Sequence, residues 1–241
     1  MSHREDLLDR VRKALGQAHA YPPPLPPVDF EGIMPPLAPE DYLAKFEAEW
    51  EKVAGISYRV SNPEELQAVF EKILVLAEAH AVVLSGNPLL AEVKVAEQLA
   101  GIDKFVTPWA AHPGDEGTNS LADFKKASFV AGAGITGVDY VLAESGTLVL
   151  SSSTERMQVV SLAPPIHVAL YRRSQLVGSL EDVLARLPIG RSAESPTAGR
   201  SVVFITGTSR TADIEQILVR GVHGPGQVHA ILVEESCFLS P

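Results

Sequence analysis

The sequence predicts an α/β protein, a three-layer α/β/α sandwich around a mostly parallel sheet. Two observations carry that prediction. Short all-apolar runs, such as Ala81–Leu84 and Val202–Ile205, have the length of strands buried on both faces. Between them lie longer stretches with apolar residues at helical spacing, and this alternation is the pattern of a sheet covered by helices. Composition agrees: of 241 residues, 46% are hydrophobic and 21% charged, the balance of a chain that can bury a substantial core.

The elements follow in order. Residues 4–15 read as a short helix carrying Leu7, Leu8, Val11 and Leu15. Residues 21–39 are dense in proline, which lacks an N–H and fixes φ, so an extended, semi-rigid arm is expected there. It either wraps the protein's own core or tethers the first helix to a partner or a second subunit. Tyr42, Leu43, Phe46, Trp50 and Val53 mark an amphipathic helix, and residues 58–60 a short strand. Asn62-Pro63-Glu64-Glu65 is a helix start: a capping Asn, proline at the first helical position and acids in the first turn. Leu66, Val69, Phe70, Ile73 and Leu74 then form its apolar face. Ala81–Leu84 is a buried strand stopped by Ser85-Gly86-Asn87-Pro88, residues 89–100 a helix stopped by Gly101, and Phe105-Val106 a strand. In the second half, strands are expected at 129–131, 147–150, 166–170, 202–205 and 228–233, and helices at 137–144, 180–187 and 211–220. Residues 1–39 thus form a helix and a proline-rich arm, and residues 40–241 one α/β domain.

Charge and cysteine exclude whole classes of function. The formal net charge is −10 and the pI near 5.2, which opposes sequence-independent nucleic-acid binding and a polybasic membrane anchor, since both need a basic surface. The one cysteine, Cys237, leaves no internal disulfide, no CxxCH haem attachment, and too few ligands for an iron–sulfur cluster held by this chain. The N-terminus has no apolar signal core, and no apolar run approaches the roughly 18 residues of a spanning helix. A cytoplasmic protein without a membrane span is the expectation.

Four segments carry candidate chemistry. Gly132-Ala133-Gly134-Ile135-Thr136-Gly137 fits GxGxxG after a strand candidate, with Glu155 beyond the next strand. Only nine residues separate Gly137 from the strand at Thr147, cramped for a crossover helix plus its exit turn, so glycines that permit close packing are the competing explanation. Asp139 to Thr147 places Glu144 beside a turn at a strand start. A carboxylate there can be a base, a nucleophile or a hydrogen-bond acceptor, or can simply satisfy the turn's N–H groups. Ala143 stands two residues before Ser145, so this is not a GxSxG elbow.

Thr206 to Glu215 follows an apolar strand and leads into an expected helix. Its glycine allows a turn, Ser209 and Thr211 can cap, and Arg210 can hold a carboxylate or phosphate with two donors. An ordinary capped helix with a surface arginine is the plainer account. Gly221-Val222-His223-Gly224-Pro225-Gly226 encloses a histidine that can act as acid, base or ligand, or can merely bond a backbone carbonyl. No HExxH and no clustered His/Cys spacing is present, so no metal is expected. His167, inside an apolar strand, reads as a satisfied core residue, and Arg156 can face the same crevice. The pocket is expected between the segments 136–147 and 209–223, with Thr136, Asp139, Glu144, Thr147, Ser209, Arg210, Thr211 and His223 as its members.

Together, GITGVDYVLAESGTLVLSSS (134–153), SLAPPIHVAL (161–170) and GTSRTADIEQILVRGVHGPGQVHAILVEE (207–235) resemble the LUD-domain family, in its lactate-utilisation protein C (LutC/YkgG) branch. The resemblance covers the body of the chain and is strongest from about residue 130. It implies a fold like the NagB/RpiA/CoA-transferase-like superfamily. It also implies a role in oxidising L-lactate to pyruvate beside iron–sulfur proteins, with a small carboxylate as ligand. Lactate oxidation removes two electrons, and this chain offers no cluster ligands to accept them. The leading expectation is therefore a non-redox subunit, without a cofactor of its own, that binds substrate or iron–sulfur partners. A second reading is a CoA-transferase-like or sugar-phosphate-like enzyme. In it Glu144, within an Ala-Glu-Ser-Gly turn that resembles the nucleophile turn of CoA transferases, attacks an acyl-CoA while Arg210 holds the acid. Glu144 and His223 are the catalytic candidates, the other six the binding ones. A third reading is an assembly factor acting through the N-terminal arm. A homo-oligomer is also left open.

Overall fold

The computed structural model describes residues 3–17, 37–109, 120–152, 157–187, 201–212 and 218–235. The chain divides into two compact units, Met1–Pro36 and Leu37–Pro241. In the first, helix α1 (His3–Gln17) carries Glu5 and Asp6 in its first turn, where acids complement the helix dipole. Residues 18–36, with most of the proline-dense stretch, lie outside the described residues.

In the second unit the strands are β1 (Ile56–Val60), β2 (Ala81–Leu84), β3 (Phe105–Pro108), β4 (Ala133–Thr136), β5 (Tyr140–Leu142) and β6 (Thr147–Ser151). They continue as β7 (Ile166–Tyr171), β8 (Leu176–Val177), β9 (Val202–Ile205), β10 (Arg210–Ala212), β11 (Leu218–Arg220) and β12 (Gln227–Val233). The helices are α2 (Tyr42–Lys52), α3 (Pro63–Leu76), α4 (Pro88–Glu92), α5 (Val95–Ala100), α6 (Leu121–Val130) and α7 (Leu180–Arg186). Six strands form one sheet in the order β1-β12-β7-β4-β2-β3, every neighbouring pair parallel. A second sheet, β8-β5-β6-β9, pairs β5 and β9 antiparallel to β6. β10 and β11 form a separate antiparallel ribbon.

Both faces of the inner strands β12, β7, β4 and β2 are buried, which is why these read as continuous apolar runs. On one face, Leu66, Phe70, Ile73 and Leu74 of α3 pack with α4 and α5 against Val82, Leu84, Ile135, Val168 and Ile231. The helix starts where the sequence places it: the Asn62 side chain accepts from the Glu65 N–H at 2.8 Å, and the Glu65 carboxylate accepts from the Ser61 N–H at 2.7 Å. On the other face, Leu43, Phe46 and Trp50 of α2 pack against Ala169, Tyr171, Val228 and Leu232, together with Val141, Leu148 and Leu150 of the second sheet. Phe46 stacks on Trp50 at 5.6 Å and meets Tyr171 edge-on at 5.7 Å. Removing an indole so fully enclosed costs about 3–5 kcal/mol. The third layer is therefore mixed, α2 and α6 beside a small sheet, where helices alone were expected.

Four expected elements differ. The strand at 129–131 is the end of α6, whose Phe129 and Val130 are exposed rather than paired. The helix at 137–144 is β5 with its flanking turns: the Asp139 N–H bonds the Val149 carbonyl, and the run of Tyr140 to Leu142 satisfies its backbone in the second sheet. The helix at 89–100 breaks at Lys94, which takes a left-handed φ of 53°. The helix at 211–220 is the β10–β11 ribbon, with 213–217 outside the described residues. The GxGxxG glycines run along β4 and are followed by β5, not by a helix. Gly134 abuts the Val160 carbonyl and Gly137 the Asn87 amide, so these glycines serve close packing.

Candidate functional site

The predicted residues fall into two groups. Thr136 ends β4 at the carboxyl edge of the large sheet, and Asp139 follows it. Ser209 and His223 belong to the amino edge, where the Ser209 N–H bonds the Pro225 carbonyl and the Gly226 N–H bonds Pro165, just ahead of β7. Thr136 lies opposite Ala169, three residues into β7. The two edges are thus about 10–13 Å apart, at roughly 3.3 Å per strand residue.

Thr147 joins the amino-edge group. Its hydroxyl is 2.8 Å from the Thr206 hydroxyl and 2.8 Å from that of Ser145, a three-member chain linking the β5–β6 turn to the end of β9. The antiparallel pairing of β6 with β9 makes this possible, since Leu148 stands opposite Ile205. Gly146 and Gly207, both at positive φ, let these turns close onto α2: a Cβ on Gly146 would strike the Trp50 backbone, and one on Gly207 the Val53 carbonyl. Beyond Gly207, Arg210 is exposed and donates from Nε to the Thr208 hydroxyl at 3.3 Å. Among the described residues no carboxylate pairs with its guanidinium. Thr211 lies on β10 opposite Val219. His223 is exposed in the turn between β11 and β12. Asp213, Glu215, Glu155, Arg156 and Cys237 lie outside the described residues.

Glu144 does something local. One oxygen, Oε1, accepts the Leu180 N–H at 2.8 Å at the start of α7, and the Glu144 N–H bonds the Gly178 carbonyl at 3.2 Å. The other, Oε2, is buried without a donor among the described residues. Asp139 accepts the Ser151 N–H at 2.5 Å and so fixes the exit of β6.

At the carboxyl edge, neighbouring strands β2 and β4 send their connections in opposite directions, to β3 and towards β7. Such a switch point is where open parallel sheets hold ligands. Ser85, Asn87 and Thr136 are buried there, and Asn87 caps α4 through the Leu89 N–H at 3.0 Å. The Thr136 hydroxyl is 2.9 Å from His167 Nε2. His167 is wholly buried and its Nδ1 has no partner among the described residues, so it is only half satisfied. Burial, with the neighbouring His229 adding to it, holds its pKa down at about 3. His229, on the opposite face, stacks on Tyr58 with both ring nitrogens unpartnered among the described residues. Its pKa is lowered to about 4 by burial and by the Lys72 charge. Both imidazoles are neutral at pH 7.

A groove of about 640 Å³ runs along β1, lined by Glu47, Glu51 and residues 54–59. None of the sequence-predicted residues reaches it. Ser145 and Thr206 are not among the sequence-predicted site residues. Their only signal is a hydroxyl beside a strand end, which gains meaning when β6 meets β9.

Known proteins are similar to this chain in sequence, and a solved structure is similar to it in fold. The chain is 42% identical over 105 residues to lactate utilization protein C of Halalkalibacterium halodurans, covering 44% of this chain and 45% of that protein, so the match spans less than half the relative's length. It is 26% identical over 249 residues to lactate utilization protein C of Bacillus pumilus, covering 98% of each. A crystal structure of a DUF162 family protein from Deinococcus radiodurans shares the fold, at a TM-score of 0.56 and 24% identity, over 82% of this chain and 99% of that one. The model of the LUD domain matches residues 43–233, from α2 to the end of β12. The chain belongs to the LUD domain family.

Proposed function

We propose that this protein serves lactate utilisation as a component without a redox centre of its own. It binds a small carboxylate at the amino-edge rim, while iron–sulfur partner proteins carry the electrons. The likeness to lactate utilization protein C along nearly the whole chain supports the lactate part. The observation that carries the binding role is Arg210, whose guanidinium finds no carboxylate among the described residues and sits beyond the Thr147–Thr206 hydroxyl pair. A guanidinium can take a carboxylate through two parallel N–H bonds, and the Thr208 hydroxyl beside it can donate to one of the 2-hydroxy acid's remaining oxygens. His223, in the turn beside Ser209, is the candidate to receive a proton.

The test is lactate-dependent dye reduction by the purified chain, alone and then with iron–sulfur proteins from lactate-grown cells. Activity only in the mixture, lost in Arg210→Ala, is the expected result. Reduction by the chain alone would overturn the non-redox role.

A second reading rests on Glu144 Oε2, a buried carboxylate oxygen with no donor among the described residues. In CoA-transferase-like chemistry, that oxygen attacks the acyl-CoA carbonyl, an anhydride forms and the CoA thiolate leaves. An acyl adduct seen by mass spectrometry, and absent in Glu144→Gln, would establish it. No adduct with any common acyl-CoA would remove it.

A further inference from the structure

β1 is an edge strand, and among the described residues no strand lies outside it. The Val60 carbonyl accepts the Glu234 N–H at 2.9 Å, so Val60 turns its backbone towards β12. In a parallel ladder such residues alternate, so Tyr58 and Ile56 also face β12, and Ser57 and Arg59 turn their N–H and C=O groups outward. The strand has no proline and no bulge, and Ile56 is 45% exposed. An open edge of this kind is a template for another strand.

Three further features lie in the groove beside this edge. The Ser57 hydroxyl oxygen is buried and has no partner among the described residues. Glu51 forms no ion pair among the described residues, whereas Glu49 is held by Lys45 and Lys52. Arg59 reaches Glu47 with Nε at 2.8 Å and remains largely exposed. The edge therefore offers one cation, one unmatched carboxylate and one unmatched hydroxyl, a set that is complementary to itself.

We propose that β1 pairs antiparallel with β1 of a second copy of this chain, joining two six-stranded sheets across a twofold axis. The register that uses the outward groups sets Ser57 opposite the second copy's Arg59, Tyr58 opposite Tyr58, and Ile56 opposite Val60. Each arginine then meets the orphaned Ser57 hydroxyl and the Glu51 carboxylate of the other copy. The two tyrosines form a non-hydrogen-bonded pair, about 4.5 Å apart at Cα, which favours aromatic contact. Lys72, already 5.4 Å from the Tyr58 ring centre, stands over this pair. A register one step further sets Arg59 opposite Arg59, and like charges directly opposed disfavour it.

The test is the mass of the full chain in solution, by light scattering and sedimentation between about 1 and 100 µM, which reaches the weak, micromolar end of interface affinities. The expected result is a dimer of twice 25.8 kDa. Ser57→Pro removes an outward N–H and the unpartnered hydroxyl, takes no hydrogen bond from the β1–β12 ladder, and should give a folded monomer with unchanged circular dichroism. Glu51→Arg and Arg59→Glu should each weaken dimerisation by tenfold or more, and the double exchange should restore it. A monomer across the whole range overturns the proposal, whether the edge is bare, covered by residues 18–36, or taken by another protein. So does a dimer that survives Ser57→Pro.

Discussion

The Thr136 hydroxyl lies 2.9 Å from Nε2 of His167, and among the described residues this is the one hydrogen bond of a wholly buried imidazole. His229 has none there, and both rings stay neutral until the pH is far below the usual histidine range. In the unfolded chain both protonate near pH 6.5, so between that value and about 4 the unfolded state binds more protons. Stability contributed by the two neutral rings is complete above pH 6.5 and is lost as the pH falls. At pH 5 the loss is about 2 kcal/mol per histidine, and denaturant midpoints measured from pH 7.5 to 5 should decline accordingly. His229→Phe should flatten the slope by about half. A slope unchanged in that variant would show that other groups govern the acid sensitivity.

Gly134 and Gly224 should respond very differently to the same change. A Cβ on Gly134 falls 2.0 Å from the Val160 carbonyl oxygen, in a layer of backbone that cannot yield cheaply. Gly134→Ala should lower stability by about 1–3 kcal/mol or more, the range for overpacked interiors. On Gly224 the nearest atom is the Ser209 Cβ at 3.4 Å, so Gly224→Ala should fall within about 0.5 kcal/mol of the parent. Urea unfolding of the two variants checks both.

Glu144 separates a structural role from a chemical one. Glu144→Gln keeps an oxygen for the Leu180 N–H and should leave the melting temperature within a degree or two. Glu144→Ala strips that acceptor from the start of α7 and should cost about 1 kcal/mol, like the loss of a cap. If the Gln variant is as stable as the parent but inactive, the carboxylate is chemical. If only the Ala variant suffers, it is a cap.

Thr147→Val preserves volume in β6 and removes the hydroxyl that links Ser145 to Thr206. Two hydroxyls then lose a partner, and stability should fall by about 1–2 kcal/mol. Lactate binding, measured by calorimetry, should weaken at least fivefold in Thr147→Val and more in Arg210→Ala. Unchanged affinity in both would remove the amino-edge rim as the carboxylate site.

The strands were legible because burial on both faces leaves a plain signature. Ala81 to Leu84, and the runs at 147–150, 166–170 and 228–233, are apolar at every position or nearly so. Misreadings arose where a short apolar run fits two periods. Phe129 and Val130 look like a strand, yet they close a helix and are exposed at its end. Tyr140 to Leu142 look like part of a helix because three residues cannot display a period of two. Ser209 to Glu215 has the residues of a capped helix start, yet Arg210 to Ala212 form a ribbon strand, and the Ser209 carbonyl accepts the Gly221 N–H rather than one in a helical turn. The site was legible as residue types and not as a constellation. Which hydroxyl meets Thr147 depends on the β6–β9 register, and which imidazole meets Thr136 depends on that of β4 and β7. Neither register is written in local sequence.

The pairing of β1 with β12, with Ile56 beside His229, has a consequence in time. During synthesis the first strand of the domain leaves the ribosome long before its neighbour in the sheet does. Until β12 emerges, β1 has no ladder, and β7 is open along the side that β12 will occupy. The nascent chain therefore carries the unpaired β1 edge through most of its elongation and a second, on β7, once residue 171 is made, and a polypeptide cut short ahead of residue 227 keeps both for good. Such intermediates are slow to mature and prone to aggregate. A circular permutant in which β12 precedes β1 should shorten that exposure and raise the soluble yield.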